Sequence, residues 1–160
     1  MSWTVIDSPI GELRLVERHD RISAIEFSPF RDSDGRVRGG RDDAHPVLVE
    51  AARQLQAYFA RDLKEFDLPL APVGSDFQQR VWAELQAIGY GETASYGQVA
   101  RQLGMTNAAS RAVGLANGRN PIPIVVPCHR VIGANGTLTG YAGGIQRKQT
   151  LLSLEQDALF

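Results

Sequence analysis

The stretch Asp67-Leu-Pro-Leu-Ala-Pro-Val-Gly74 limits the possible folds of this chain more than any other. Each of its two prolines fixes φ and removes a backbone donor, so the stretch cannot lie inside a helix or a central strand. It must run extended, and it ends in a glycine, which marks it as a boundary. A chain of 160 residues can form one large domain or two small ones. The break favours two, residues 1–70 and 71–160.

The first part begins with three short runs of β-branched and apolar residues, Trp3 to Ile6, Leu13 to Val16 and Ile22 to Phe27. Pro9-Ile10-Gly11 and His19-Asp20 separate them as turns, which predicts an antiparallel meander. Residues 31–44 (RDSDGRVRGGRDDA) are rich in charge and glycine and nearly lack apolar side chains, so a mobile loop is expected there. From Pro46, the positions Val47, Leu48, Ala51, Leu55, Tyr58 and Phe59 recur at helical spacing with proline at the start. The helix they form should cover one face of the sheet.

The second part reads as helices. Ser75 with Gln78 fits a capping box, and Phe77, Val81, Trp82, Leu85 and Ile88 follow on one face until Gly89-Tyr90-Gly91. Ser95 with Gln98 opens a second helix, closed by Gly104. A third is expected from Ala108 to Asn117 with Gly118 as its stop. Two short helices joined by a tight turn have the form of a helix-turn-helix, although such pairs are also common packing units. The third helix is thin, with Ala108, Ala109, Ala112, Gly114 and Ala116, and so could enter a groove. Arg111 is expected on its exposed face, with Ala108, Ala112 and Val113 turned inward.

The net charge is −1, yet the charges are separated. Residues 1–75 carry ten Lys/Arg and thirteen Asp/Glu, whereas residues 93–154 carry Arg101, Arg111, Arg119, Arg130, Arg147 and Lys148 and no acid. Such a segment can present a cationic face to phosphates. No apolar run approaches the ~20 residues needed to cross a bilayer, and Met1 is followed by a polar, strand-like segment, so a cytoplasmic protein without a membrane partner is expected.

Cys128 is the only cysteine, which excludes an internal disulfide and a Cys-based zinc site. The three histidines are scattered, so neither metal nor cofactor is expected. Cys128 follows the apolar run Pro121-Ile-Pro-Ile-Val-Val-Pro127 and precedes His129 and Arg130. An imidazole and a guanidinium nearby would favour thiolate, the nucleophilic form. His129 can reach the sulfur only if the chain turns there or a water bridges them. A carboxylate should orient the histidine, and Glu155, Asp157 and Glu92 are the candidates. The Gly-rich run from Gly133 to Gly144 lacks the Gly-Lys-Ser/Thr of a P-loop and fits better as a wall for a flat ligand, with Tyr141 able to stack. These residues alone leave a Cys-His hydrolase open, and equally a non-catalytic helix-turn-helix module with a redox-sensing cysteine.

Pro127-Cys128-His129-Arg130-Val131, with Arg111-Ala-Val-Gly and Asn120-Pro before it and Gly140-Tyr-Ala-Gly-Gly144 after it, resembles the O6-alkylguanine-DNA alkyltransferases, the methylated-DNA–protein-cysteine methyltransferases. The resemblance extends to Ser8-Pro-Ile-Gly11 and Asp76-Phe-Gln-Gln-Arg-Val-Trp82. It implies an RNase H-like α/β domain (a small antiparallel sheet plus a helix), then a mainly helical domain that carries the helix-turn-helix and the reactive cysteine. It also implies a partner, duplex DNA containing O6-alkylguanine and bound from the minor groove by a monomer, with room for several copies side by side. Cys128 would accept the alkyl group irreversibly, from O6-methylguanine and also O4-methylthymine, with His129 and Glu155 as a relay through water. Arg111 corresponds to the finger that replaces the flipped nucleotide. Tyr96 corresponds to the tyrosine beside the rotated phosphate and the base, and Asn120 to the asparagine that joins the helix-turn-helix to the active-site strand. Ala112, Gly114 and Arg119 fall in the DNA-binding segment, while Val131, Tyr141, Ala142 and Gly143 fall around the guanine. Ala142 departs from members that have serine there. The zinc ligands of some members are absent, and Cys rather than Trp at 128 separates the chain from the non-transferring branch.

Overall fold

The computed structural model describes residues 1–138 and 140–157, without the side chains of Ser33 and Asp157. It divides into two compact units, Met1–Val73 and Gly74–Phe160. The division falls between Val73 and Gly74 rather than at 70/71, because the proline-rich segment begins as part of the first unit. Ile22 N–H donates to Pro69 O and Ala71 N–H to Ile22 O, both at 2.8 Å. The side-chain amide of Gln54 closes two further bonds, to the N–H and the carbonyl of Asp67.

In the first unit, β1 (Ser2–Ile6), β2 (Leu13–Arg18) and β3 (Arg21–Phe27) form the expected meander. The sheet is nevertheless mixed. A fourth strand, β4 (Gly40–Arg41), pairs in parallel with β1, giving the order β3-β2-β1-β4. Helix α1 (Pro46–Phe59) starts with Pro46 at its first turn and buries Leu48, Ala51, Leu55 and Tyr58. Leu13 and Leu15, on one face of β2, are fully buried with them.

Residues 31–44 are not a free loop, which corrects the expectation from composition. Arg14, on the other face of β2, lies 4.7 Å from the Phe30 ring centroid and pairs with Glu26 at 2.8 Å and Asp32 at 2.9 Å. Arg38 is buried beside it, donating to Glu26 and Asp34. A charge-rich segment reads as solvated when its counter-charges are elsewhere in the sequence, and Glu26 on β3 is such a partner. Gly39 completes the crossing to β4, with φ +72 and so little room that a Cβ would sit 1.9 Å from Met1 O.

Glu17, Asp20 and His45 also converge in this unit. His45 Nδ1 accepts the Val47 N–H and caps α1, and its Nε2 lies 3.2 Å from Asp20 and 3.7 Å from Glu17.

In the second unit, α2 (Asp76–Leu85) and α3 (Tyr96–Gln102) both begin with the expected capping boxes. After a 3-10 turn at Asn107–Ala109 comes α4 (Ser110–Gly118). Gly118 is its last helical residue rather than its stop, and the cap passes to Arg119, whose N–H donates to Ala116 O. The orientation of this segment matches expectation at Arg111 and Val113 but not at Ala108 and Ala112. Val113, Ala116 and Asn117 are buried, while Ala108 and Ala112 are exposed with Arg111. A short parallel pair, β5 (Ala94–Ser95) with β6 (Val131–Ile132), ties the start of α3 to the chain just after Cys128. Helix α5 (Ile145–Asp157) closes the unit with Leu151 and Leu154 inward. Among the described residues, no helix is long and apolar enough to cross a membrane.

Candidate active site

Cys128 is presented by a buried, hydrogen-bonded loop. Ile122, Ile124 and Val126 are all but fully buried, and Asn120 braces the stretch from within, its Nδ2 donating to Val126 O at 2.8 Å and its Oδ1 accepting Ile122 N–H at 3.0 Å. Ile124 holds φ at +75, a conformation costly for a β-branched residue, and the surrounding bonds hold it there. The chain then turns in a 3-10 helix over Cys128–Arg130 rather than continuing as a strand. This turn puts Cys128, His129 and Arg130 all into the interior.

His129 is fully buried, with Nε2 2.7 Å from Glu155 Oε2. Burial outweighs the carboxylate and holds the imidazole below its usual pKa, so the ring is neutral. Burial alone would raise the Glu155 carboxyl, yet hydrogen bonds from His129 and Arg130 bring it to about 2. An ionised Glu155 accepts the Nε2 proton, which leaves the His129 Nδ1 lone pair as a base. That atom is buried and has no partner among the described residues. Arg130 reinforces Glu155 from the other side, with Nε 2.9 Å from Oε1 and Nη2 3.1 Å from Oε2, while its Nη1 donates to Ile88 O at 2.6 Å.

The thiol is held in reserve. Burial pushes Cys128 up to about 11, against a smaller pull from the Asn120 amide, the Lys148 charge and the N–H groups of Cys128 and His129. Arg130 does not supply the cation expected from sequence adjacency, since its guanidinium is spent on Glu155 and Ile88. Lys148 supplies it. This lysine is fully buried on α5, its Nζ donating to Val131 O at 2.5 Å. Tyr141 is buried in the same place, its phenol raised first by burial and then by the Cys128 charge. A buried thiol with a neutral base in the same interior can give up its proton when a ligand arrives.

Family models of the 6-O-methylguanine DNA methyltransferases match both units, the ribonuclease-like domain over residues 1–72 and the DNA binding domain over residues 76–157. The chain belongs to the 6-O-methylguanine DNA methyltransferase family. A methylated-DNA–protein-cysteine methyltransferase of Mycolicibacterium paratuberculosis is 52% identical, covering 98% of this chain and 93% of the relative. One from Methanosarcina acetivorans is 48% identical over 97% and 98%. Among solved structures, Mycobacterium tuberculosis OGT in complex with DNA superposes with a TM-score of 0.91 at 49% identity, covering 99% of this chain and 94% of that one. The fold named in the resemblance, a ribonuclease-like α/β domain followed by a helical DNA-binding domain, is thereby established, with the sheet mixed rather than antiparallel.

Within this family frame, the structure brings most of the expected residues together. Cys128, His129, Glu155, Asn120, Val131 and Tyr141 surround one turn. Tyr96, the first residue of α3, packs its ring against Gly114, where a Cβ would lie 3.6 Å away, and its hydroxyl close to Gly140, at 3.4 Å from a Cβ there. Ala142 is exposed and Gly143 half-buried, with Gly143 O accepting from Arg147 at 3.3 Å. Arg111, Ala112 and Arg119 are exposed. Glu92 stands apart, exposed and accepting the N–H of Gly89. The Asp157 side chain lies outside the described residues. Lys148 was missed as a site residue, although its spacing from Leu151 and Glu155 already placed all three on one face of a helix. Asn117 is buried, with its Nδ2 3.2 Å from Cys128 O, a placement that its position in an alanine-rich helix does not signal.

Proposed function

We propose that this chain repairs O6-alkylguanine in duplex DNA by moving the alkyl group to its own Cys128 in one irreversible turnover. The observation that carries the reading is the burial together of a protonated Cys128 thiol and a neutral His129 whose Nδ1 has no partner among the described residues and whose Nε2 is committed to Glu155. The thiol proton passes to His129 Nδ1 through a water, and Glu155 stabilises the imidazolium. The thiolate attacks the alkyl carbon. A carbon–sulfur bond forms as the carbon–O6 bond breaks, and the leaving guanine takes up the proton released by the thiol, so that thiol plus O6-alkylguanine becomes thioether plus guanine. A thioether lies off the thiol-disulfide exchange path, so the protein acts once.

The lesion is stacked inside the duplex, and the same reading requires that the nucleotide be turned out. The exposed face of α4, with Arg111 and Ala112 beside the half-buried Gly114, suits the minor groove, where Arg111 fills the vacated space. Tyr96 stands by the phosphate and the base, and Tyr141 to Gly143 flank the guanine. Since Ala142 offers no hydroxyl, backbone N–H groups recognise O6. O4-methylthymine, with its alkyl oxygen on the same groove edge, is a second substrate. The test is intact-mass spectrometry after incubation with a duplex containing O6-methylguanine. The protein should gain the mass of one methyl group, about 14 Da for a single acceptor, and Cys128→Ala should gain nothing. Repair by Cys128→Ala would overturn the reading.

A further inference from the structure

Asn117 lies on α4 with 1% of its surface exposed. Its Nδ2 donates to the main-chain carbonyl of Cys128 at 3.2 Å, whereas its Oδ1 is buried without a partner among the described residues. The neighbouring backbone is fixed as well. Trp82 Nε1 donates to Ala116 O at 2.8 Å, and Asn120 N–H to Asn117 O at 3.3 Å. If this position served packing alone, an apolar side chain of similar volume would do at least as well, because a buried acceptor left unpaired is unfavourable. What an apolar residue cannot supply is the donor to Cys128.

We propose that Asn117 is a positioning residue that locks the exposed face of α4 to the turn carrying Cys128, so that docking of the helix sets the place of the sulfur. Arg111 stands about 9 Å along the axis from Asn117 at 1.5 Å per residue, on the same nine-residue helix. A helical segment of that length behaves as one rigid piece, and the amide hydrogen bond extends it to the main chain of Cys128. The inference rests on the alkyl-transfer reading above and adds a residue to it that touches neither the DNA nor the alkyl group.

The experiment uses the full chain with Asn117→Leu and Asn117→Ala, and follows single-turnover transfer by intact mass from two donors. One is a saturating duplex with a single O6-methylguanine, the other O6-benzylguanine as the free base, which meets Cys128 without α4 being docked. Asn117→Leu should melt at or above the wild-type temperature and bind the duplex with unchanged Kd. Its saturated rate on the duplex should fall about tenfold or more, while its rate with the free base stays within about threefold. Asn117→Ala, which cannot overpack, should show the same split even if the leucine fails to fold. Equal duplex rates in the variants and the wild type would overturn the proposal, as would a loss shared equally by both donors or one that merely follows a lowered melting temperature. A wild type that transfers from neither donor would instead overturn the alkyl-transfer reading.

Discussion

Glu155 is the residue on which the chemistry and the stability of the second unit meet. It is almost fully buried, and its hydrogen bonds to His129 and Arg130 set its carboxyl at about 2 against an ordinary 4.5. Because the folded value is the lower one, the ionised form favours the folded state. That contribution is complete above pH about 4.5 and is lost as the pH falls towards 2, a difference of about 3 kcal/mol. Urea unfolding across this range should show the loss, and Glu155→Gln should lack that part of the acid limb. The same substitution leaves Arg130 buried without its counter-charge, so it should also lower stability at neutral pH, by about 3–5 kcal/mol. Saturated transfer from a methylated duplex should slow about a hundredfold, since His129 loses the group that stabilises its charged form. An unchanged rate in a folded Glu155→Gln protein would assign the base's orientation elsewhere.

Helix α4 shows how far an element can be read from its own residues. Its alanines announce a thin helix, and the residues that follow announce its end, but which alanines turn inward depends on where Trp82 anchors Ala116. The result is an outward face with Arg111, Ala112 and Leu115, the last 63% exposed. Arg111→Ala should separate two effects. Loss of one charge weakens DNA binding modestly and can be offset by more protein, whereas loss of the group that fills the stack removes a few kcal/mol of compensation. At saturation the duplex rate should therefore fall tens- to hundredsfold, with O6-benzylguanine transfer nearly unchanged. A saturated rate equal to the wild type would make Arg111 only a charge.

At the scale of the whole chain, the acid-free segment 93–154 provides fewer phosphate partners than its six cations suggest. Arg130 and Lys148 are buried in the site, and Arg147 is half-buried, whereas Arg101, Arg111 and Arg119 are exposed. With three or four phosphates neutralised, log affinity for duplex DNA should fall against log salt with a slope of about −3 to −4. A slope near −5, as all six cations would give, or a flat response would contradict the assignment. The same division separates what was legible in the sequence from what was not. Local determinants were legible: the boxes of Ser75 with Gln78 and Ser95 with Gln98, the meander of the first three strands, the proline-rich break, and the motif around Cys128, because each depends on residues within a few positions of one another. The pairing of β4 with β1, the burial of Arg38 against Glu26, the choice of Lys148 over Arg130 as the thiol's cation and the turn of α4 that brings Asn117 to Cys128 were not. Each is a choice among partners distant in sequence, and burial and geometry make that choice only once the chain has packed.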